Sequence, residues 1–194
     1  MSILILLFSF FKPSQSQTFK DGDMIFHTSK SSQSQIIQKI TGSKFSHCGI
    51  IFYKKGVPYV FEAVQPVKMT PLNVWINRGV GGKYVVTRYK KTISKEDRDR
   101  MMYYAKRQLG KAYDIKFQWS DSKMYCSELI YKVYVAGGVT LADCKVFSDY
   151  DLKNPTVKKL ISQRYKEGFS KQEPVISPVD LYESNLVKTV YSNY

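Results

Sequence analysis

The order of strand-like and helix-like segments predicts an α+β fold for this chain of 194 residues. The β-rich runs form a mostly contiguous central block, and the helical patterns come before and after it. Regular alternation of strand and helix, which would indicate a doubly wound parallel sheet, does not occur. A hydrophobic content of 43% supports a globular core, and the length suits one domain rather than two.

The first half of the chain contains a predicted strand, helix and hairpin. The turn signal Asp21-Gly22-Asp23 precedes a short apolar strand, and Ile36, Ile37 and Ile40 share one face of a predicted helix. Two β-rich runs then flank Lys54-Lys55-Gly56, which is typical of a hairpin turn. The predicted bounds are Met24–Phe26 for the strand, Ser32–Thr41 for the helix, and Ser46–Tyr53 and Val57–Val64 for the hairpin.

The second half is predicted to be mainly helical. The pattern Ser94-x-x-Asp97 resembles a capping box and starts a helix that ends before Gly110. A helix over Cys126–Ala136 follows from the helical spacing of its apolar residues and from the two glycines after it. The other predicted elements are a short helix at Pro71–Asn77, strands at Tyr84–Tyr89 and Leu186–Tyr191, and a helix start at Ser177-Pro178.

Residues 1–16 are predicted to be a signal peptide, with a single domain over residues 17–194. The run Ile3–Phe11 is apolar but too short to span a bilayer, and small residues at Ser14 and Ser16 suit a signal peptidase. We therefore expect an exported protein, periplasmic or extracellular.

The strongly basic charge predicts an anionic partner surface. Removal of the signal peptide leaves 29 basic and 16 acidic residues, a net charge of +13. Such a protein is expected to be attracted to anionic envelope material such as phospholipid headgroups or acidic glycans. Nucleic acid is not expected as a partner, because the lysines are scattered and because an exported protein does not meet DNA.

Cys126 is the candidate nucleophile, because it opens a predicted helix. Unpaired backbone N–H groups and the positive end of the helix dipole favour a thiolate at this position. The same N–H groups suit the oxyanion of a tetrahedral intermediate. Cys126 also lies on the apolar stripe of its helix, so at this point a purely packing role stays open.

His47 is the candidate general base, and the hairpin register supplies a partner for it. A two-residue turn at Lys55-Gly56 makes paired residue numbers sum to 111, which places Glu62 opposite Gly49 on the face of His47. There the carboxylate would orient and charge-stabilise the imidazole. A three-residue turn would put Glu62 on the other face. Cys48 points away from His47 and is expected to face away from the site.

The remaining candidates for chemistry are weaker. His27 follows a strand without an acidic partner and is interpreted as a rim or surface residue. Three cysteines leave at least one thiol unpaired, and a disulfide between Cys48 and Cys144 stays open. No cofactor or metal is expected, since the chain has two histidines and no Cys-x-x-Cys motif.

The motifs occur in an order that is similar to a known family. Gly22–Phe26, Phe45–Ile50, Phe61-Glu62-Ala63 and Tyr125–Leu129 together resemble the YiiX/YebB-type branch of the circularly permuted NlpC/P60 (papain-like) proteins. The resemblance covers about residues 19–192. It implies an antiparallel sheet or barrel with the nucleophile helix packed on it, and permutation accounts for His before Cys.

The resemblance implies site residues and a function. Cys126 would be the nucleophile, His47 the general base and Glu62 the orienting residue. Tyr113, in Gly110-Lys111-Ala112-Tyr113, would assist the oxyanion hole. The chain is thus expected to be an exported cysteine hydrolase that cleaves an amide bond in a small molecule, peptide or lipid amide. The alternatives are a lipid-directed acyltransferase or lipase of the same fold, and a catalytically silent binding module.

Overall fold

The structure, a computed structural model, describes residues 18–166 and 168–194. The predicted signal peptide at residues 1–16 lies outside this range and stays a prediction. Among the described helices, none has the length and apolar character needed to cross a bilayer.

The predicted α+β class is confirmed by a six-stranded sheet that is antiparallel throughout. The strands are β1 (Met24–His27), β2 (His47–Lys54), β3 (Val57–Glu62), β4 (Lys68–Pro71), β5 (Val85–Tyr89), β6 (Lys145–Val146), β7 (Pro174–Val175) and β8 (Val187–Ser192). The order in the main sheet is β4-β3-β2-β1-β5-β8, and β6 pairs with β7 separately.

The helices surround this sheet, and most of them occur where the sequence predicts them. They are α1 (Ser34–Thr41), α2 (Leu72–Asn77), α3 (Lys95–Arg107), α4 (Cys126–Ala136), α5 (Pro155–Arg164) and α6 (Pro178–Tyr182). Strands β4, β6 and β7 and helix α5 lie where the sequence predicts no element. β4 is too short to show alternation, whereas the start of α5 is marked by Asn154, whose side chain accepts a hydrogen bond from the Thr156 N–H at 3.0 Å.

The hairpin between β2 and β3 has the predicted register. Lys54 pairs with Val57, and the turn residues Lys55 and Gly56 have φ angles of 50° and 76°. Two consecutive positive φ angles form a tight turn that suits the strand twist, which favours glycine at the second position. The register continues to Ile50 and Phe61, and the next pair places Glu62 beside Gly49.

Gly49 is required by close packing within this hairpin. A Cβ atom at this position would lie 2.3 Å from Val60 Cγ1 and 2.9 Å from the Phe61 carbonyl oxygen. Both distances are shorter than any van der Waals contact, and the second partner is backbone that cannot move aside. The absence of a side chain at position 49 therefore lets β3 approach β2 beside the site.

The two faces of the sheet bury different helices. Alternate strand residues such as Phe26, Ile50 and Phe52 pack in the same core as Leu129 and Val133 of α4. On the opposite face a second apolar cluster surrounds Trp75 of α2; its buried members are Ile25, Ile51, Val60, Trp75 and Val86. Because neighbours along a strand point to opposite faces, His47 lies on the Trp75 face and Cys48 on the α4 face.

Helix α4 is held firmly at both ends. At its start the Glu128 carboxylate accepts a hydrogen bond from the Tyr125 N–H at 3.2 Å, and Ser127 Oγ donates to the Ile176 carbonyl at 2.7 Å. Near its end the buried Tyr134 hydroxyl donates to the Gly22 carbonyl at 2.5 Å. These bonds satisfy polar groups at the helix start and fix the position of Cys126 relative to the sheet.

Candidate active site

A buried carboxylate orients the His47 ring. Glu62, the last residue of β3, is fully buried, and its Oε2 lies 2.7 Å from His47 Nε2. Its other oxygen accepts a hydrogen bond from Thr70 Oγ1 at 2.5 Å and another from Arg78 Nη2. With Nε2 committed to Glu62, the Nδ1 side of the imidazole is the one left for a thiol.

The thiol of Cys126 meets this ring at the start of α4. His47 is the first residue of β2, so its ring lies at the strand end, where it interacts with Cys126 strongly enough to shift the pKa of both side chains, although α4 packs on the opposite face. Cys126 is 2% exposed and His47 8% exposed, which leaves the pair nearly dry. The structure therefore brings Cys126, His47 and Glu62 together as the sequence predicts.

Cys126, His47 and Glu62 shift one another's pKa values. The pKa of Cys126 is well below its ordinary value because a hydrogen bond from Cys48 and the hydrogen bond and charge of His47 outweigh burial. Burial alone would lower the pKa of His47, but its bonds to Cys126 and Glu62 raise that pKa to about 9. Burial would likewise raise the pKa of Glu62, yet the His47 hydrogen bond holds it at about 2. At neutral pH the arrangement is a thiolate beside an imidazolium beside a carboxylate.

Cys48 corrects one expectation from the sequence. It does point away from His47, but α4 packs on that face, so Cys48 is buried against Cys126 instead of facing away from the site. Burial and the hydrogen bond to Cys126 raise the pKa of Cys48 well above its ordinary value. Cys48 is therefore a neutral thiol that donates to the thiolate. The disulfide left open between Cys48 and Cys144 does not form, since all three cysteines are free.

Tyr113 also reaches Cys126. Burial is the main reason that its pKa lies well above the ordinary value, followed by the charges of Cys126 and Cys48. The hydroxyl thus keeps its proton and hydrogen-bonds the Cys126 side chain. The backbone N–H of Tyr113 donates to Gln65 Oε1 at 2.6 Å, which anchors the segment. This placement fits the expected donor to an oxyanion.

His27 lines the cleft beside His47, as the rim alternative predicts, but it is buried and is not a surface residue. It ends β1 directly opposite His47, is 1% exposed, and stacks on Trp75 with ring centroids 3.9 Å apart. Burial and the charges of His47 and Arg78 lower its pKa to about 2. A neutral ring next to an imidazolium shapes the cleft without competing for the thiol proton.

Two partners of Glu62 were missed by sequence reasoning. Thr70 lies on β4 opposite Val60, so it shares the face of Glu62, and Arg78 follows α2 directly. The β4 strand was not predicted, and nothing local connects an arginine after a short helix with a carboxylate 16 residues earlier. Both contacts depend on tertiary packing.

The described residues, 18–166 and 168–194, contain no group of three or more His, Cys, Asp or Glu side chains arranged to hold a metal ion. What the site does offer is an activated sulfur nucleophile, a proton donor and acceptor beside it, and N–H and O–H donors at a helix start. This set of groups suits acyl transfer from a carbonyl compound through a covalent thioester.

Comparisons with known proteins place the chain in a family described as amidases. A family model described as permuted papain-like amidase enzyme, YaeF/YiiX, C92 family, matches residues 18–191. A protein of Escherichia coli K12 known as uncharacterized protein YiiX is 42% identical over 170 residues, covering 87% of this chain and 84% of that protein. The crystal structure of a protein described as metalloprotein YiiX, from Escherichia coli O157:H7, superposes with a TM-score of 0.86 at 42% identity, covering 90% and 98% of the two chains.

Proposed function

Since the chain belongs to the permuted papain-like amidase family of the YaeF/YiiX type, we propose that it is a cysteine amidase that uses Cys126, His47 and Glu62. Membership of that family confirms the permuted papain-like fold and the YiiX-type resemblance predicted from the motifs. The triad and the amide substrate are proposals that build on it.

The proposed reaction has two halves joined by an acyl-enzyme. The Cys126 thiolate forms a bond to the carbonyl carbon, and the displaced electron pair on oxygen is stabilised by the Cys126 N–H and the Tyr113 hydroxyl. His47 then donates its proton to the nitrogen as the C–N bond breaks, and the amine leaves. Water attacks the thioester and His47 takes one proton from it. The C–S bond then breaks, which restores the thiolate and releases a carboxylic acid that gives its remaining proton to solvent.

The observation that supports this proposal is the buried contact between His47 and Glu62, with Cys126 close enough to His47 for each side chain to shift the pKa of the other. The 2.7 Å contact between His47 and Glu62 is buried, and the carboxylate has three donors. Burying two negative charges and one positive charge away from water costs free energy, because each charge loses its hydration. A binding module without catalytic activity would gain nothing that offsets this cost.

The bond type is tested with a panel of substrates. We expect short peptides and N-acyl amides to be hydrolysed by the wild-type protein and not by Cys126→Ala, whereas phospholipids are not cleaved. Products are quantified by mass spectrometry after equal incubation. Cleavage of phospholipid alone would overturn the amide assignment in favour of a lipid-directed enzyme of the same fold.

The pH dependence tests the ion pair. Because the pKa of Cys126 is depressed, alkylation of Cys126 by iodoacetamide should show a midpoint well below that of an ordinary thiol. Alkylation should stay fast at high pH, since the thiolate persists. Amide hydrolysis should instead fall as the pH rises through about 9, because His47 then loses the proton that the leaving amine needs.

The two profiles are measured by mass spectrometry of the labelled peptide and by kcat/KM over the same buffers. In a His47→Ala variant the alkylation midpoint should move up towards the ordinary thiol value. An unshifted wild-type midpoint, or hydrolysis that keeps rising above pH 10, is incompatible with a thiolate–imidazolium pair.

A further inference from the structure

The cleft beside His47 is positively charged. It has a volume of about 690 Å³, and none of the residues that line it carries a carboxylate. Its cations are Lys30 and Arg78. Lys30 makes a 3.3 Å hydrogen bond to the Asn77 carbonyl and, within the described ranges, no ion pair with any carboxylate. Arg78 binds Glu62 through Nη2, but its side chain is still 38% exposed.

A second, apolar pocket is lined by Cys126. Its volume is about 50 Å³, and Ile37 of α1 borders both this pocket and the cationic cleft. No charged residue lines it, and the hydroxyl of Ser127 is already bonded to the Ile176 carbonyl. The apolar wall next to Cys126 consists mainly of Ile37, Ile40, Phe117, Phe147, Val175 and Ile176.

The size of the apolar pocket limits its occupant. A volume of 50 Å³ accommodates about three to five water-sized groups, which corresponds to a short aliphatic side chain. A long acyl chain would need α1 to move away from the pocket. The pocket therefore favours a small apolar residue over a lipid tail.

The chemistry of acyl transfer assigns the two pockets to opposite sides of the scissile bond. His47 must reach the leaving nitrogen, so the amine part of the substrate lies in the cleft that His47 lines. The acyl carbon becomes bonded to Cys126, so the acyl part lies in the pocket that Cys126 lines. An anionic group on the amine part would meet Lys30, which has no carboxylate partner within the described ranges, and the exposed part of Arg78, whose Nη2 is bound to Glu62.

From this arrangement we propose that the substrate is an N-acyl amino acid: a short apolar acyl residue on one side of the amide and an amino acid with a free carboxylate on the other. A small peptide that loses its carboxyl-terminal residue belongs to this class. The inference rests on the proposed function, because the assignment of the acyl and amine parts to the two pockets follows from the cysteine mechanism. Lys30 acts in it as a specificity-determining residue that contacts the carboxylate.

The test compares two substrates that differ in one charge. Acetyl-valyl-glycine should be hydrolysed with a kcat/KM about tenfold higher than acetyl-valyl-glycinamide, and the difference should shrink at high salt. In Lys30→Glu the preference should vanish or reverse, while the same charge change on the outer side of α1, Lys39→Glu, should preserve it. Replacing valyl by aspartyl should lower kcat/KM by at least tenfold, because a charge would enter the apolar pocket. Equal rates for both wild-type substrates would overturn the inference.

Binding separates this inference from the proposed function. Calorimetry with the Cys126→Ala protein should show about tenfold tighter binding of acetyl-valyl-glycine than of its amide, and Lys30→Glu in that background should remove the difference. Selective binding without any hydrolysis by the wild-type protein would refute the amidase and keep the recognition. Hydrolysis without selectivity, or no binding of either compound, would refute the recognition.

Discussion

Cys126→Ala is expected to abolish amide hydrolysis, with a loss on the order of 10⁵- to 10⁶-fold in kcat. Without sulfur no thioester forms, and the N–H and Tyr113 donors alone have nothing to stabilise. The matched variant Cys144→Ala removes a half-buried thiol outside this cluster and should keep the wild-type rate. Initial rates on the best amide of the panel measure the effect, and thermal unfolding confirms that both variants fold.

Cys48→Ala separates the nucleophile from its hydrogen-bond donor. Cys48 is a neutral thiol beside the Cys126 thiolate, so its loss should cost about 10- to 100-fold and raise the alkylation midpoint of Cys126. If Cys48→Ala were inactive while Cys126→Ala kept activity, the roles of the two sulfurs would be reversed.

Glu62→Gln is expected to have the second largest effect and to act on both activity and stability. The amide keeps the shape of the carboxylate but removes the charge that His47 and Arg78 share. The His47 pKa should fall, the Cys126 thiolate should lose its partner, and kcat should drop on the order of 10³- to 10⁴-fold. Removing the charge of this fully buried carboxylate, which leaves the His47 imidazolium without its partner, should also destabilise the fold by about 3–5 kcal/mol.

The unfolding free energy at acidic pH reports the contribution of the Glu62 charge to stability. Its pKa is about 2 in the folded protein against an ordinary 4.5, so its contribution is complete above pH 4.5 and is lost as the pH falls towards 2. The gap in unfolding free energy between wild type and Glu62→Gln should therefore narrow over that interval. Denaturant unfolding at several pH values measures it. The exposed Glu183→Gln serves as the control, and a gap that stays constant with pH would show that the ion pair contributes nothing.

Much of the site could be predicted because short sequence patterns determine the hairpin register and the start of the nucleophile helix. The turn at Lys55-Gly56 sets the hairpin register, and with period-two alternation that register places Glu62 on the face of His47. The apolar spacing after Cys126 and the glycines at its end define α4 without error. Both signals depend on residues within a few positions of one another.

The environment of Cys48 could not be predicted from local sequence patterns. Its direction relative to His47 was predicted correctly, but its environment was not, because strand alternation says which residues share a face and not which helix covers that face. The same holds for Arg78, His27 and Trp75, which reach the site through α2 and the end of β1.

The sequence by itself determined most of the longer elements, the hairpin register and the identities of thiol, imidazole and carboxylate, since these follow from short-range periodicity and turn chemistry. Only the tertiary structure decided that α4 packs on the Cys48 face, that Arg78 and Thr70 close around Glu62, and that a cationic cleft lined by His47 and an apolar pocket lined by Cys126 share Ile37 as a wall. These depend on how apolar faces of distant segments bury one another, and that packing arises from the whole chain.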